Sequence, residues 1–208
     1  MKGTEATSPK RLLILCCEYV YDKGRIYAEF PEDKEVYKKQ LLASVGALKR
    51  GDFDILIISG GYTRKEIKKS EAQGMLDWTK DLGLNLENFL AHKRIILEEY
   101  ARDSFENLLF SICRFYQVFK IFPKEICIIS WKFKENRIRT IAKALKIPNF
   151  KYLAVGEKNA SDLESTLFQD DLLCQGKFFS QKRQKRNPWK RRHPYSKVKR
   201  EFLANLKK

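Results

Sequence analysis

Apolar residues occupy consecutive positions in three short stretches, RLLILCC (11–17), FDILIIS (53–59) and KEICIIS (124–130). Runs this short, rich in Leu and Ile and without alternation, predict strands buried on both faces, as in the interior of a parallel sheet. Two weaker runs, RIILE (94–98) and KYLAV (151–155), predict two more. Between them the apolar positions recur at helical spacing. Val36, Tyr37, Leu41, Val45 and Leu48 mark a helix over 35–50, and Ala72, Met75, Leu76 and Leu82 mark one over 70–82. The clearest helix covers 103–120, where Asp103 and Glu106 stand at the spacing of a capping box. A further helix over 135–146 stops before Pro148.

Strand and helix alternate through residue 155, which predicts a three-layer α/β/α, Rossmann-like parallel sheet. The expected organisation is a flexible N-terminus (1–10), one domain (11–176) whose last part is a loop with a short amphipathic piece, and a C-terminal strap (177–208). Pro188 and Pro194 oppose helix there and predict an extended strap with a final short helix over 197–206.

Composition adds two points. The chain of 208 residues is 43% hydrophobic, enough for a real core, and its five cysteines form no CxxC pair, which predicts reduced, mostly buried thiols. The apolar stretch near the N-terminus is far shorter than a membrane span, so no membrane span and a cytoplasmic location are expected. The net charge of +16 is concentrated: residues 177–208 hold 13 Lys or Arg against one acid, while residues 1–176 hold a surplus of only +4. A basic tail that also carries Phe178, Phe179, Trp189 and Tyr195 either binds RNA or another polyanion or packs on the domain.

Ligands of such sheets sit outside the carboxyl ends of the strands, and three polar clusters fall there. The first is Ser59-Gly60-Gly61, with Thr63, Arg64, Ser70 and Glu71 following. Paired glycines allow positive φ and close approach of a ligand to main-chain N–H groups. Arg64 offers a fork for phosphate or carboxylate, and Ser70 suits a helix cap whose N–H groups favour an anion. The second cluster holds Glu98 at a strand end, Arg102, Asp103 as an N-cap, and Ser104 with Asn107 on one helix face. Arg102 is either an ion-pair partner of Glu98 or Glu99 or a ligand contact. The third is Ser130 at a strand tip, with Lys132, Lys134 and Arg137 beyond it. Metal ligation by Glu18, Glu71 and Glu98 has no diagnostic spacing, so no metal is assigned.

Taken together, these stretches resemble the YdcF-like family, also known as domain of unknown function 218, which includes the SanA and ElyC envelope proteins. The family pattern is a strand ending in SGG, an EA pair opening a helix, an E…S/T-x-E-N segment, and a strand ending in Ser followed by Arg. Here these are Ser59-Gly60-Gly61, Glu71-Ala72, Glu98 with Ser104, Glu106 and Asn107, and Ser130 with Arg137. The eukaryotic, largely fungal branch is similar also at CCEYVY (16–21), where it tends to carry His in place of Glu18, and at KRQKRNPWKRRHPY (182–195). The chain departs from the bacterial branch in offering Lys132 and Lys134 where a His is common, and in lacking the SanA-type anchor. The resemblance implies a Rossmann-like fold that holds a nucleotide-type or S-adenosylmethionine-like molecule.

Three functions follow as expectations. One is binding of an anionic or adenosyl small molecule at the strand tips, with hydrolysis or transfer using Glu71 or Glu98 as general base if a reaction occurs. The second is RNA or polyanion binding through the tail. The third is a scaffold in which the carboxylates and arginines pair among themselves.

Overall fold

The computed structural model describes residues 9–28, 31–157, 171 and 174–205. The expected flexible N-terminus lies mostly outside them, as does most of the amphipathic piece before residue 177. The strands and helices in chain order are β1 (Arg11–Cys16), β2 (Tyr19–Asp22), β3 (Arg25–Ala28), α1 (Lys34–Arg50), β4 (Ile55–Ser59), α2 (Glu71–Asp81), α3 (Glu87–Ala91), β5 (Ile95–Glu98), α4 (Ser104–Phe119), β6 (Glu125–Ser130), α5 (Glu135–Ala144), β7 (Phe150–Ala154), α6 (Lys177–Lys185) and α7 (Ser196–Asn205).

All five expected strands form one parallel sheet in the order β5-β4-β1-β6-β7. Helices cover both faces, because successive strand residues point opposite ways. Leu12, Ile14, Ile57 and Ile128 join the core beneath α4 and α5, and Leu13, Leu15, Leu56 and Ile129 join the core beneath α1 and α2. From the central β1 the chain steps outward through β4 and β5, then crosses back to β6 and β7. The order reverses between β1 and β6, and a crevice opens at such a point outside the carboxyl ends.

Two features differ from the expectations. Residues 19–28 form an antiparallel hairpin, turned by Lys23 and Gly24 at φ 46° and 82°. Positive φ at both turn residues matches the right-handed twist of the paired strands. The hairpin lies on α2, where a Cβ at Gly74 would sit 2.5 Å from Tyr21 N, while Tyr21 stacks on Trp78 at 5.1 Å. The second difference corrects the extended strap: Lys177–Lys185 is helical, and the prolines fall in the connection between α6 and α7. Phe179 anchors α6 in the α4 core, and Phe202 of α7 packs on Phe122 with ring centroids 5.3 Å apart. Among the described residues, no helix is long and apolar enough to cross a membrane.

Candidate functional site

At the tip of β4 the glycines serve packing. Gly60 N–H donates to Glu98 O at 2.9 Å and Gly61 N–H to Ala101 O at 2.7 Å, so neither is presented to a ligand. Neither residue has positive φ. A Cβ on Gly60 would lie 2.7 Å from Glu71 Cβ, and one on Gly61 would lie 2.6 Å from Ala101 O. The loops after β4 and β5 meet the start of α2 too closely for any side chain, which corrects the expectation of backbone access.

The N-terminus of α2 is closed in the same way. Ser70 caps it as expected, accepting from Gln73 N at 2.9 Å, and its hydroxyl donates to Glu99 at 2.7 Å. Glu71 N–H and Ala72 N–H donate to the carbonyls of Gly61 and Gly60. The donors that would favour an anion there are already satisfied. What remains is a cluster of side chains. Glu71 is buried, and its Oε1 accepts from Thr63 Oγ1 and from Arg186 Nη2 of the strap. Burial raises its pKa, while Arg186, Thr63 and Arg64 pull the other way. Arg64 donates Nη2–H to Glu18 O at 2.9 Å, and Lys134 from the β6 side pairs with the Glu18 carboxylate. Arg137, buried in the first turn of α5, is near enough to Cys16 to oppose the burial that raises that thiol's pKa. The tips of β1, β4 and β6 therefore share one polar cluster at the reversal of strand order. Ser130 ends β6 fully buried beside it, whereas Lys132 turns outward to Glu135 at 2.5 Å.

The β5 side forms a second knot. Glu98 is fully buried and accepts from Ser59 Oγ at 2.8 Å, Tyr100 N at 2.8 Å, Ala101 N at 3.2 Å and Tyr195 Oη at 3.3 Å. Asn107 meets the same Ser59 hydroxyl at 2.9 Å. A hydroxyl has one hydrogen, so Ser59 shares it between two acceptors, Glu98 Oε2 and Asn107 Oδ1. Four donors account for the acceptor capacity of a carboxylate, so Glu98 ties the loop after β5 to β4 and to the strap. Asp103 caps α4 by accepting from Glu106 N at 2.8 Å, and Ser104 opens the helix. Arg102 pairs with Glu106 at 2.6 Å, not with Glu98 or Glu99. Asp103 in turn binds Arg183 of α6 at 2.6 Å.

Burial raises the Glu98 pKa from 4.5 to about 7, against the pull of Ser59, Tyr100 and Ala101. A carboxyl raised on folding holds its proton better in the folded state. The stabilising linkage is thus complete below pH 4.5 and is lost as pH rises through 7. Urea unfolding should show stability falling between these values, with Glu71 and Glu106, also raised, adding to the slope. Glu98→Gln should remove up to one proton from it, about 1.4 kcal/mol per pH unit. An unchanged slope would contradict the assignment.

The strap supplies residues that no local pattern signalled. Arg183, Arg186, Trp189, Arg191 and Tyr195 all cross the strand-tip rim. Trp189 Nε1–H donates to Arg64 O at 3.0 Å, and the Arg191 guanidinium lies 4.0 Å and 4.7 Å from the ring centroids of Tyr62 and Tyr100. Of the five tail aromatics, Phe179 and Tyr195 are 1% exposed, Trp189 is bonded to the domain and Phe202 packs on Phe122, leaving Phe178 at 44%.

Fold and site together define an α/β protein of Rossmann-like architecture whose strand-tip rim is crossed by its own C-terminal strap. The chain is similar to the uncharacterized protein YOR238W of Saccharomyces cerevisiae, with 34% identity over 134 residues, covering 54% of this chain and 44% of the yeast protein. It thus spans less than half of that relative's length. No family model matches the chain. No solved structure matches it either.

Proposed function

We propose that the chain binds an anionic small molecule in the crevice at the carboxyl ends of β1, β4 and β6, beneath the strap. One observation carries this. The Nε–H groups of Arg64 and Arg186 are buried at the rim with no acceptor among the described residues. Pairing within the fold accounts for Arg102, Asp103, Glu106 and Glu98, as a scaffold would require, but not for these two donors. A buried donor left without a partner costs roughly 1–3 kcal/mol, more when charged, and folded proteins rarely retain one. A ligand oxygen would satisfy both.

Nucleotide-type molecules are the ligands this proposal favours; an S-adenosylmethionine-like molecule, a net cation, would meet the arginines only through its carboxylate, and both are in keeping with the YdcF-like resemblance. As a hydrolase or transferase the protein would use Glu71 as general base. Its raised pKa suits proton abstraction, and the bonds to Glu98 leave that residue a positioning role. RNA or polyanion binding through 177–208 ranks second, because Arg183, Arg186, Arg191 and most aromatics of the strap already contact the domain. Thermal denaturation of the full chain with millimolar ATP, ADP, a nucleotide-sugar, S-adenosylmethionine and citrate tests the proposal. Ligand at about 100 times its Kd adds roughly 2.7 kcal/mol, a rise of several degrees. No rise with any of them would overturn it.

A further inference from the structure

We infer that Arg64, from the loop after β4, and Arg186, from the strap, act together as a clamp for a phosphate group, so that the ligand is a phosphate ester or a pyrophosphate. This rests on the ligand-binding proposal above and specifies its chemistry. The two arginines are 122 positions apart in the chain, yet both lie close enough to Glu71 to draw its carboxyl toward the ionised form. Each has one Nη2 anchored, Arg64 on Glu18 O at 2.9 Å and Arg186 on Glu71 Oε1 at 3.0 Å. Anchoring fixes each planar guanidinium and leaves its Nε–H, buried and without an acceptor among the described residues, for another oxygen. The Arg186 side chain is 24% exposed, so part of it faces outward from the strap.

Charge and shape select phosphate. Around Glu18 and Glu71 stand Arg64, Lys134, Arg137 and Arg186. With both carboxylates ionised, Arg64, Lys134 and Arg186 still leave a positive surplus, which suits an anionic phosphate group. Two guanidinium edges arriving from separate chain segments suit a tetrahedral group with several terminal oxygens, whereas a planar carboxylate presents one edge for one fork. Neither arginine alone makes the site, and the strap is the part that completes it.

The test is isothermal calorimetry of the full chain with inorganic pyrophosphate, with orthophosphate and citrate as comparators, on wild type, R64K and R186K. The lysine variants keep the charge and remove the fork. Saturable pyrophosphate binding by wild type, weakened tenfold or more in each variant, is the expected result. Binding of citrate but not of pyrophosphate or phosphate would overturn the clamp and leave the ligand-binding proposal standing. Binding of none of the three would overturn the clamp, and the thermal panel with larger ligands then decides the wider proposal separately. Pyrophosphate binding undiminished in both variants would also overturn it. Where a variant fails to fold, phenylglyoxal modification of wild type read by peptide mass spectrometry decides instead. Pyrophosphate should protect Arg64 and Arg186 together, and protection of neither would contradict the clamp.

Discussion

Removing residues 177–208 is expected to abolish cooperative folding of the remaining chain. The segment is strongly basic, and as a solvated tail it would come off without consequence. Instead it buries Phe179 and Tyr195 to 1% exposure in the core that α4 and α5 share with the sheet. Burying two such side chains contributes roughly 3–6 kcal/mol. Its loss would also take a partner from four buried carboxyls, because Asp103 and Glu106 lose Arg183, Glu71 loses Arg186, and Glu98 loses Tyr195. A domain has a margin of only about 5–15 kcal/mol. Circular dichroism should show no sharp thermal transition for residues 1–176, where the full chain shows one. A truncated chain melting at the temperature of the full one would mean that the strap is a mere appendage.

Arg183→Ala is the point substitution with the largest expected effect. The Arg183 side chain is 15% exposed and sits on Asp103 and Glu106, 1% and 5% exposed, at 2.6 and 3.4 Å. Deleting one partner of a buried ion pair costs about 3–5 kcal/mol, because the other charge stays behind without compensation. Here two acids would remain with Arg102 alone. Arg183 also caps the carbonyl of Cys174 at 2.7 Å and lies over the Phe105 ring at 5.5 Å, so the loss includes packing. The midpoint of urea unfolding at neutral pH should fall sharply. At low pH the difference from wild type should shrink, since burial raises the Glu106 carboxyl's pKa and a protonated Glu106 no longer needs the cation. An equal loss at both pH values would assign the effect to packing rather than charge.

Much of the fold was legible because its signals are local. The five strands announce themselves as unbroken apolar runs, and the caps at Ser70 and Asp103 stand where sequence reasoning puts them. The hairpin was missed although Tyr19–Asp22 and Arg25–Ala28 flank a Lys-Gly pair, the pattern of a two-residue turn. Helix α6 was missed because its burial rests on Phe179 alone, set among cations with no apolar period. Two glycines were misread: Gly60 and Gly61 look like a ligand cradle in one dimension, and only the position of Ala101 and Glu71 shows that they permit close packing. The strap's role was least legible of all. Arg183 pairs with a residue 80 positions away and Arg186 with one 115 away, and an ion pair between distant segments leaves no periodic trace. The basic, aromatic composition of the tail was legible, but not that Arg183, Arg186, Trp189 and Arg191 would contact the domain's own rim.

A single spectrum addresses the claim that loop and strap build one site. In a 1H–15N correlation experiment on the full chain, with the arginine Nε–H resonances of Arg64 and Arg186 identified through their lysine variants, pyrophosphate should shift both signals along one titration curve. Two signals that stay fixed while others move, or that respond with different midpoints, would contradict the account.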